Sequence, residues 1–327
     1  MMARPCCFLP RCSQVSEFLL NEYTHMNNKP QQCHEVPRIS LKSTVKGLIF
    51  AMRLSAKSDA PKGTADEADD ETANLKKRRS AIFPGACDRE HEEDVAALLQ
   101  KSDSWDFNIF ELRDLTGGKE LQCLAWHVFD KWELTDKFDI DSETLRRFLN
   151  FAADGYEQNS YHNRTHAADI LQGTNFMLSE GGLGEFLSDV DKLSLIIAAL
   201  AHDIGHDGFS NNYHKNAMTE RAVRFNDQSI QENWHASLLF TQIFENSDIN
   251  ILSSCSEKTL AHIRSNIIYL ILQTDMSKHF SLTDEVKNMT EENVSRHLHR
   301  LLNSFAATCL CFLSPLIDCI GPRRFDF

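Results

Sequence analysis

Histidine and aspartate recur in two segments of this chain at spacings that can build a metal site. Residues 161–169 read Tyr-His-Asn-Arg-Thr-His-Ala-Ala-Asp, and residues 202–206 read His-Asp-Ile-Gly-His. Histidines four positions apart can share one face of a helix, and an adjacent His-Asp pair offers an imidazole nitrogen and a carboxylate. Neither pattern identifies a metal site alone, but together they favour hydrolytic metal chemistry.

An apolar segment leads directly into the second group. Residues 191–201 read Asp-Lys-Leu-Ser-Leu-Ile-Ile-Ala-Ala-Leu-Ala, which is apolar nearly all round and predicts a buried helix. Such a helix would deliver His202, Asp203 and His206 straight out of the core. Burial of three ionisable groups is costly unless a cation or hydrogen bonds compensate.

The rest of the chain from Trp105 onward also has a helical pattern. One apolar face is formed by Leu121, Leu124, Ala125, Val128 and Phe129, and Ser142 is expected to cap a helix that carries Leu145, Phe148, Leu149 and Ala152. Further helices are predicted over residues 167–178, 233–244 and 259–272, with a glycine-rich turn at 181–184. Without convincing strand alternation or internal repeats, the sequence predicts an all-α fold.

Two later segments extend the chemical pattern. Residues 232–235 read Glu-Asn-Trp-His and residues 273–279 read Gln-Thr-Asp-Met-Ser-Lys-His. In order, the segments resemble the motifs Y-H-N-x-x-H-A-x-D, H-D-x-x-H-x-G-x-x-N, E-N-x-H and T-D-M-S-K-H of class I 3′,5′-cyclic nucleotide phosphodiesterases. The similarity extends over residues 104–289. It implies a multi-helix catalytic domain of the HD type that hydrolyses cAMP or cGMP to the 5′-monophosphate in signal transduction.

The resemblance also implies a role for each matching residue. His166, His202 and Asp203 would bind zinc, and Asp203 would also reach a second ion, usually Mg²⁺ (or Mn²⁺), that keeps a water-rich shell. His162 would act as the catalytic acid toward the O3′ leaving group. The residues expected to hold metal-bound waters are His206, Glu232 and Thr274.

Other titratable residues are given structural roles. Asp207 is assigned to the surface, because the family commonly has proline at this place. The remaining histidines are also expected to be structural, with His235 a buried partner near the site; they include His214, His235, His262, His279, His297 and His299.

The chain departs from the family pattern after Asn303. The family completes its zinc site with an aspartate in an H-x-A-D segment and grips the purine with a later glutamine and aromatic residue, and neither feature follows residue 303. We therefore expect a partial catalytic domain over residues 96–303, incomplete at its C-terminus through truncation or an imperfect gene model, and an atypical apolar tail over 304–327. Asp318 as the fourth ligand and the tail as a membrane anchor remain alternatives, although Pro315 and Asp318 interrupt the apolar run.

Residues 1–95 differ from the rest of the chain in composition. The stretch 57–72 is rich in charge and poor in apolar residues, so an N-terminal arm that is disordered or weakly structured is expected. The ten cysteines form no Cys-x-x-Cys pair and no signal peptide precedes them, which predicts reduced thiols and a cytoplasmic location.

Composition also limits the partners. A net charge of -13 argues against nucleic-acid binding, whereas a cyclic nucleotide remains acceptable if metal ions supply positive charge locally. No confident membrane association is predicted, and a homo-oligomer is left open. Two alternatives to the phosphodiesterase are a non-catalytic fragment that acts through partner contacts and another HD-type phosphohydrolase.

Overall fold

A computed structural model describes residues 82–278. These residues lie in the larger of the two units into which the chain divides, Val45–Phe327. The described part is helical and contains no β-strand, so the predicted all-α class is confirmed. Its α-helices are α1 (Glu92–Leu99), α2 (Ile109–Leu115), α3 (Glu120–Lys131), α4 (Leu134–Lys137), α5 (Ser142–Asp154), α6 (Arg164–Leu178), α7 (Asp189–Ala201), α8 (Asn211–Asn216), α9 (Glu220–Arg224), α10 (Ile230–Glu245) and α11 (Glu257–Leu272).

Helix α7 forms the centre of this bundle. It packs most extensively against α11 and α6, while α6 also packs against α3 and α11 against α10. Every residue from Leu193 to Ala201 is buried, as the apolar sequence predicted. A capping box in which Ser188 and Asp191 bond reciprocally starts α7, and Asn266 of α11 donates to the Asp191 carboxylate at 3.1 Å. The helix is therefore fixed at its start by polar contacts and along its length by apolar packing.

The apolar faces predicted for α3 and α5 are confirmed, but one cap was assigned wrongly. The predicted core positions of both helices are buried. Helix α5 is capped by Asp141 rather than Ser142, because the Asp141 carboxylate accepts from the backbone N–H groups of Glu143 and Thr144 at 3.0 and 2.9 Å. Ser142 is the first residue of the helix. Aspartate and serine are comparable N-caps, so the apolar spacing alone did not decide between neighbours.

Several sequence-based expectations fall partly or wholly outside the described residues. These are most of the arm at 1–95, the apolar tail at 304–327, Asp318, and the histidines His279, His297 and His299. Helix α1 crosses residue 95, where the arm was expected to end. Among the described residues, no helix combines the length and the apolar character needed to cross a membrane.

Candidate metal centre

Helix α6 presents His166 near its N-terminus. Asn163 caps this helix by accepting from the backbone N–H groups of Thr165 and His166 at 2.9 and 3.1 Å. The Asn163 amide also donates to the Asn159 carbonyl at 3.0 Å, which ties the preceding loop to the cap. The Tyr161 ring lies 4.6 Å from the His166 ring, centroid to centroid. The Tyr-His-Asn sequence therefore fixes the helix start that carries His166.

Helix α7 presents His202 and Asp203 at its C-terminal end. His202 is the C-cap, and its Nδ1 lies 3.0 Å from the Ala199 carbonyl. This contact keeps a proton on Nδ1 and leaves the Nε2 lone pair of a neutral ring free to face inward. The chain then turns at Gly205, which has a φ of 72° that favours glycine.

The three residues predicted as metal ligands converge in space. Nε2 of His202 lies 3.2 Å from Oδ2 of Asp203, and Nε2 of His166 lies 3.5 Å from the same oxygen. The two Nε2 atoms are 3.3 Å apart, and one ligand atom from each of the three residues lies within 4.8 Å of the others. Two imidazole nitrogens and a carboxylate oxygen directed at one point form a donor set that fits zinc.

Burial and their mutual interactions shift the pKa values of the three groups. Burial, and then the neighbouring His202, lower the pKa of His166 to about 3. Burial also opposes charge on His202 and Asp203, but each stabilises the charge of the other, so the pKa of His202 is raised and that of Asp203 is held well below its usual range. The neutral His166 ring and the ionised Asp203 carboxylate are in the protonation states that metal ligands need.

His235 lies near the other carboxylate oxygen of Asp203. Its Nδ1 is 2.7 Å from the Ile204 carbonyl and its Nε2 is 3.8 Å from Oδ1 of Asp203. The ring is buried, and its burial lowers the pKa of His235 to about 3. The expectation that His235 is a buried neighbour of the site is therefore confirmed.

His162 and His206 form a stacked pair beside the cluster. Their ring centroids are 3.9 Å apart and their planes are inclined by 10°. Asn159 holds both segments, because its side-chain amide donates to the carbonyls of His162 and His206 at 3.2 and 2.8 Å. The backbone N–H of Gly208 donates to Nδ1 of His206, so a neutral His206 ring carries its proton on Nε2.

Glu232 and Thr274 occupy different surroundings. Asn211 donates to Glu232 at 2.9 Å, and burial, followed by the nearby Asp275 carboxylate, raises the pKa of Glu232 to about 7. The Thr274 hydroxyl donates to the Ile271 carbonyl at the end of α11. Asp275 accepts from Ser229 at 2.7 Å. The Asp203 carboxylate also raises the pKa of Glu232, so Glu232 is linked electrostatically to the centre, whereas the hydroxyl contact of Thr274 lies within its own helix end.

Comparisons with known proteins agree with this geometry. Residues 161–318 match the family described as 3′5′-cyclic nucleotide phosphodiesterase. These residues belong to the cyclic nucleotide phosphodiesterase family. The match includes the three converging residues, the His162–His206 pair, Glu232 and Thr274.

Two relatives of this phosphodiesterase segment come from animals. The chain is 33% identical over 198 residues to the probable 3′,5′-cyclic phosphodiesterase pde-1 of Caenorhabditis elegans. The aligned region covers 60% of this chain and 30% of that protein. It is 31% identical over 231 residues to the 3′,5′-cyclic-AMP phosphodiesterase 4C of Rattus norvegicus. Here the aligned region covers 70% of this chain and 43% of the relative. The chain therefore spans less than half the length of these curated relatives.

A solved structure also matches the phosphodiesterase segment. The phosphodiesterase domain of the RhoPDE fusion protein from the choanoflagellate Salpingoeca rosetta is 29% identical, covers 68% of each chain and superposes with a TM-score of 0.58. The likeness supports an HD-type helical fold.

Sequence reasoning missed a polar network around Asp207 in this phosphodiesterase segment. The expected surface role of Asp207 is wrong: the residue is half-buried, and its Oδ1 accepts from Gln231 at 2.7 Å while Oδ2 lies 3.2 Å from Arg221. His214 lies 3.3 Å from Oδ1. Asp207 therefore joins the loop after His206 to α8, α9 and α10. The sequence signal was a charged residue at a place where the family commonly has proline.

Proposed function

We propose that this chain hydrolyses a 3′,5′-cyclic nucleotide, cAMP or cGMP, to the 5′-monophosphate. The observation that carries this proposal is the convergence of His166, His202 and Asp203 beside the stacked His162–His206 pair. The family membership of residues 161–318 supports the same reaction.

His166, His202 and Asp203 would hold a zinc ion. Asp203 would also reach a magnesium or manganese ion, for which a carboxylate is a suitable donor. When bound, such ions neutralise the charge of a phosphodiester and lower the pKa of a coordinated water. Each carboxylate oxygen of Asp203 faces a different neighbour, with Oδ2 toward His202 and Oδ1 toward His235.

The remaining side chains supply proton transfer and orientation. A protonated His162 imidazole, which is half-exposed beside the buried ligands, would donate its proton to the O3′ oxygen as the P–O3′ bond breaks. His206 would donate from Nε2 to a water or phosphate oxygen, since Gly208 occupies its Nδ1. Glu232, whose pKa is raised to about 7, can exchange a proton near neutral pH.

A cytoplasmic location is part of this proposal. The described cysteines Cys87, Cys123 and Cys255 have free thiols, as expected in a reducing compartment. Fractionation of cells that express the chain would test the location, and recovery with secreted proteins would contradict it.

The reaction is tested with the purified chain supplied with Zn²⁺ and Mg²⁺. Conversion of cAMP and of cGMP is followed by chromatography that separates 5′- from 3′-monophosphates, with His162→Ala as the catalytic control and exposed His262→Ala as the matched surface control. We expect the 5′ product from the unaltered chain and from His262→Ala. Zinc binding without turnover would instead favour the non-catalytic alternative, and turnover only with nucleoside triphosphates would favour another HD-type phosphohydrolase.

A further inference from the structure

We propose that Tyr156 is a positioning residue for the metal centre. Its hydroxyl group closes the C-terminal end of α7 and so fixes the direction in which His202 and Asp203 leave that helix. The inference rests on the proposed metal site, and it concerns a residue that lies outside the four sequence motifs.

The last carbonyl groups of α7 need partners from outside the helix, because no further turn follows to bond them. The Ala199 carbonyl is 3.0 Å from Nδ1 of His202, and the Ala201 carbonyl accepts from the backbone N–H of Ile204 at 3.2 Å. The Leu200 carbonyl between them accepts from the Tyr156 hydroxyl at 3.0 Å. The Tyr156 side chain, which follows the C-cap of α5, therefore completes the C-terminus of α7.

The same hydroxyl contacts the backbone beyond the helix. Tyr156 also forms a hydrogen bond with the backbone of Asp203, where only the N–H group can donate to the phenol oxygen. The hydroxyl thus donates to Leu200 and accepts from Asp203, so it bridges the two ends of the segment that contains His202. Tyr156 is 5% exposed, and its surroundings therefore restrict movement of this bridge.

Gly155 holds the next part of the turn. Its carbonyl accepts from the backbone N–H of Gly205 at 2.8 Å. A Cβ atom on Gly155 would lie 2.5 and 2.7 Å from Cγ1 and Cδ1 of Ile204, so Ile204 packs directly on the glycine backbone. Two consecutive residues therefore hold the turn that carries the ligands. Tyr156 bonds to the backbone of residues 200 and 203, and Gly155 contacts residues 204 and 205.

These contacts matter because the proposed site requires an accurate position of the Asp203 carboxylate. Its Oδ2 atom has to lie close to Nε2 of His202 and Nε2 of His166, which are 3.2 and 3.5 Å away. Groups behind metal ligands that set their orientation typically contribute about 10–100-fold to metal affinity. Tyr156 bonds to the backbone rather than to a ligand atom, so its effect would pass through the position of the Asp203 main chain.

A simpler interpretation is that Tyr156 bonds to Leu200 because a buried phenol needs a partner. The two interpretations differ in what the hydroxyl changes. A merely satisfied phenol contributes to folding stability alone, whereas a positioning phenol also changes the affinity and coordination geometry of a bound metal.

The test compares the full 327-residue chain with Tyr156→Phe and with Tyr213→Phe, a control that removes an exposed hydroxyl. Zinc affinity is measured by competition with a chelator, and Co²⁺ substituted for zinc reports coordination geometry through its visible absorption. We expect Tyr156→Phe to bind zinc about 10–100-fold more weakly and to alter the Co²⁺ spectrum, with Tyr213→Phe unchanged. Unfolding of each metal-free chain gives the separate cost to stability.

Equal zinc affinity and identical Co²⁺ spectra in the unaltered and Tyr156→Phe chains would overturn the inference, even if the metal-free variant were less stable. If Tyr156→Phe does not unfold cooperatively, 4-aminophenylalanine at position 156 replaces it, since this ring amine donates to Leu200 but accepts poorly from the Asp203 N–H. Its zinc affinity should then lie measurably below that of the unaltered chain, and equality would reject the role of Tyr156. Failure of the unaltered chain to bind zinc would instead reject the metal site on which the inference rests.

Discussion

The imidazole rings of His162 and His206 lie face to face, with centroids 3.9 Å apart. Two stacked rings at this distance are unfavourable as a pair of cations. Burial, and then the charge of His162, lower the pKa of His206 to about 4, so His206 is the neutral member near neutral pH. His162 is the less buried ring of the pair, and it is the one that we propose as the acid toward substrate.

Replacement of His162 by alanine should therefore remove the acid without removing the metal. Turnover of cAMP should fall about 100-fold or more, since general acid catalysis typically contributes this much. Zinc content, measured by atomic absorption on the same sample, should stay at the level of the unaltered chain. Loss of zinc together with activity would make His162 a ligand.

Replacement of His202, in contrast, should remove the metal. His202→Ala deletes one of the Nε2 atoms that lie 3.3 Å apart, and a site with one nitrogen and one carboxylate should retain little zinc after dialysis. His262→Ala is the matched control because this histidine is exposed on α11. Equal zinc in His202→Ala and His262→Ala would disprove the ligand assignment.

Asp207 should contribute to stability although it was expected at the surface. Asp207→Ala leaves Arg221 and Gln231 without their carboxylate, which should lower the free energy of unfolding by about 1–3 kcal/mol. Asp114→Ala removes an exposed partner of Arg113 and should cost less than about 1 kcal/mol. Urea unfolding of both variants provides the comparison, and similar midpoints would contradict the network.

His127 should make stability depend on pH. Burial, and then the Lys131 charge, lower its pKa from 6.5 to about 4, so the unfolded chain binds a proton more readily than the folded one between these values. The contribution is fully present above pH 6.5 and is lost as pH falls toward 4, at up to about 1.4 kcal/mol per pH unit. His127→Gln should flatten this part of the curve of unfolding free energy against pH, measured in EDTA. Parallel curves for the two chains would show that His127 does not titrate in this way.

Gly155→Ala should disturb the turn between His202 and His206. The added Cβ would lie 2.5 Å from Ile204 Cγ1, and overpacking of this kind typically costs about 1–3 kcal/mol. Ile204→Ala removes the opposing atoms, so the double variant should lose less than the sum of the two single variants. A double-mutant cycle from thermal unfolding checks this, and simple additivity would show that the two residues do not press on each other.

The sequence predicted the helices more successfully than the contacts between them. Apolar spacing located α3, α5 and α7, because burial of one face is a local property of the chain. The role of Tyr156 depends on a bond to Leu200, which is 44 positions away, and that of Asn159 on a bond to His206, 47 positions away. Such contacts depend on how helices pack, so neither spacing nor composition could predict them.

His166 and His202 are 36 positions apart along the chain, and helices α6 and α7 bring them to a single point. An ion held there would act as a removable cross-link that closes a loop of chain, so the concentration of free metal would become a variable that sets folding stability. At a free concentration 1,000 times the Kd, the folded state would gain about 4 kcal/mol. Local unfolding of either helix would release the ion, and the amide protons of both would then share one exchange rate that slows as metal is added.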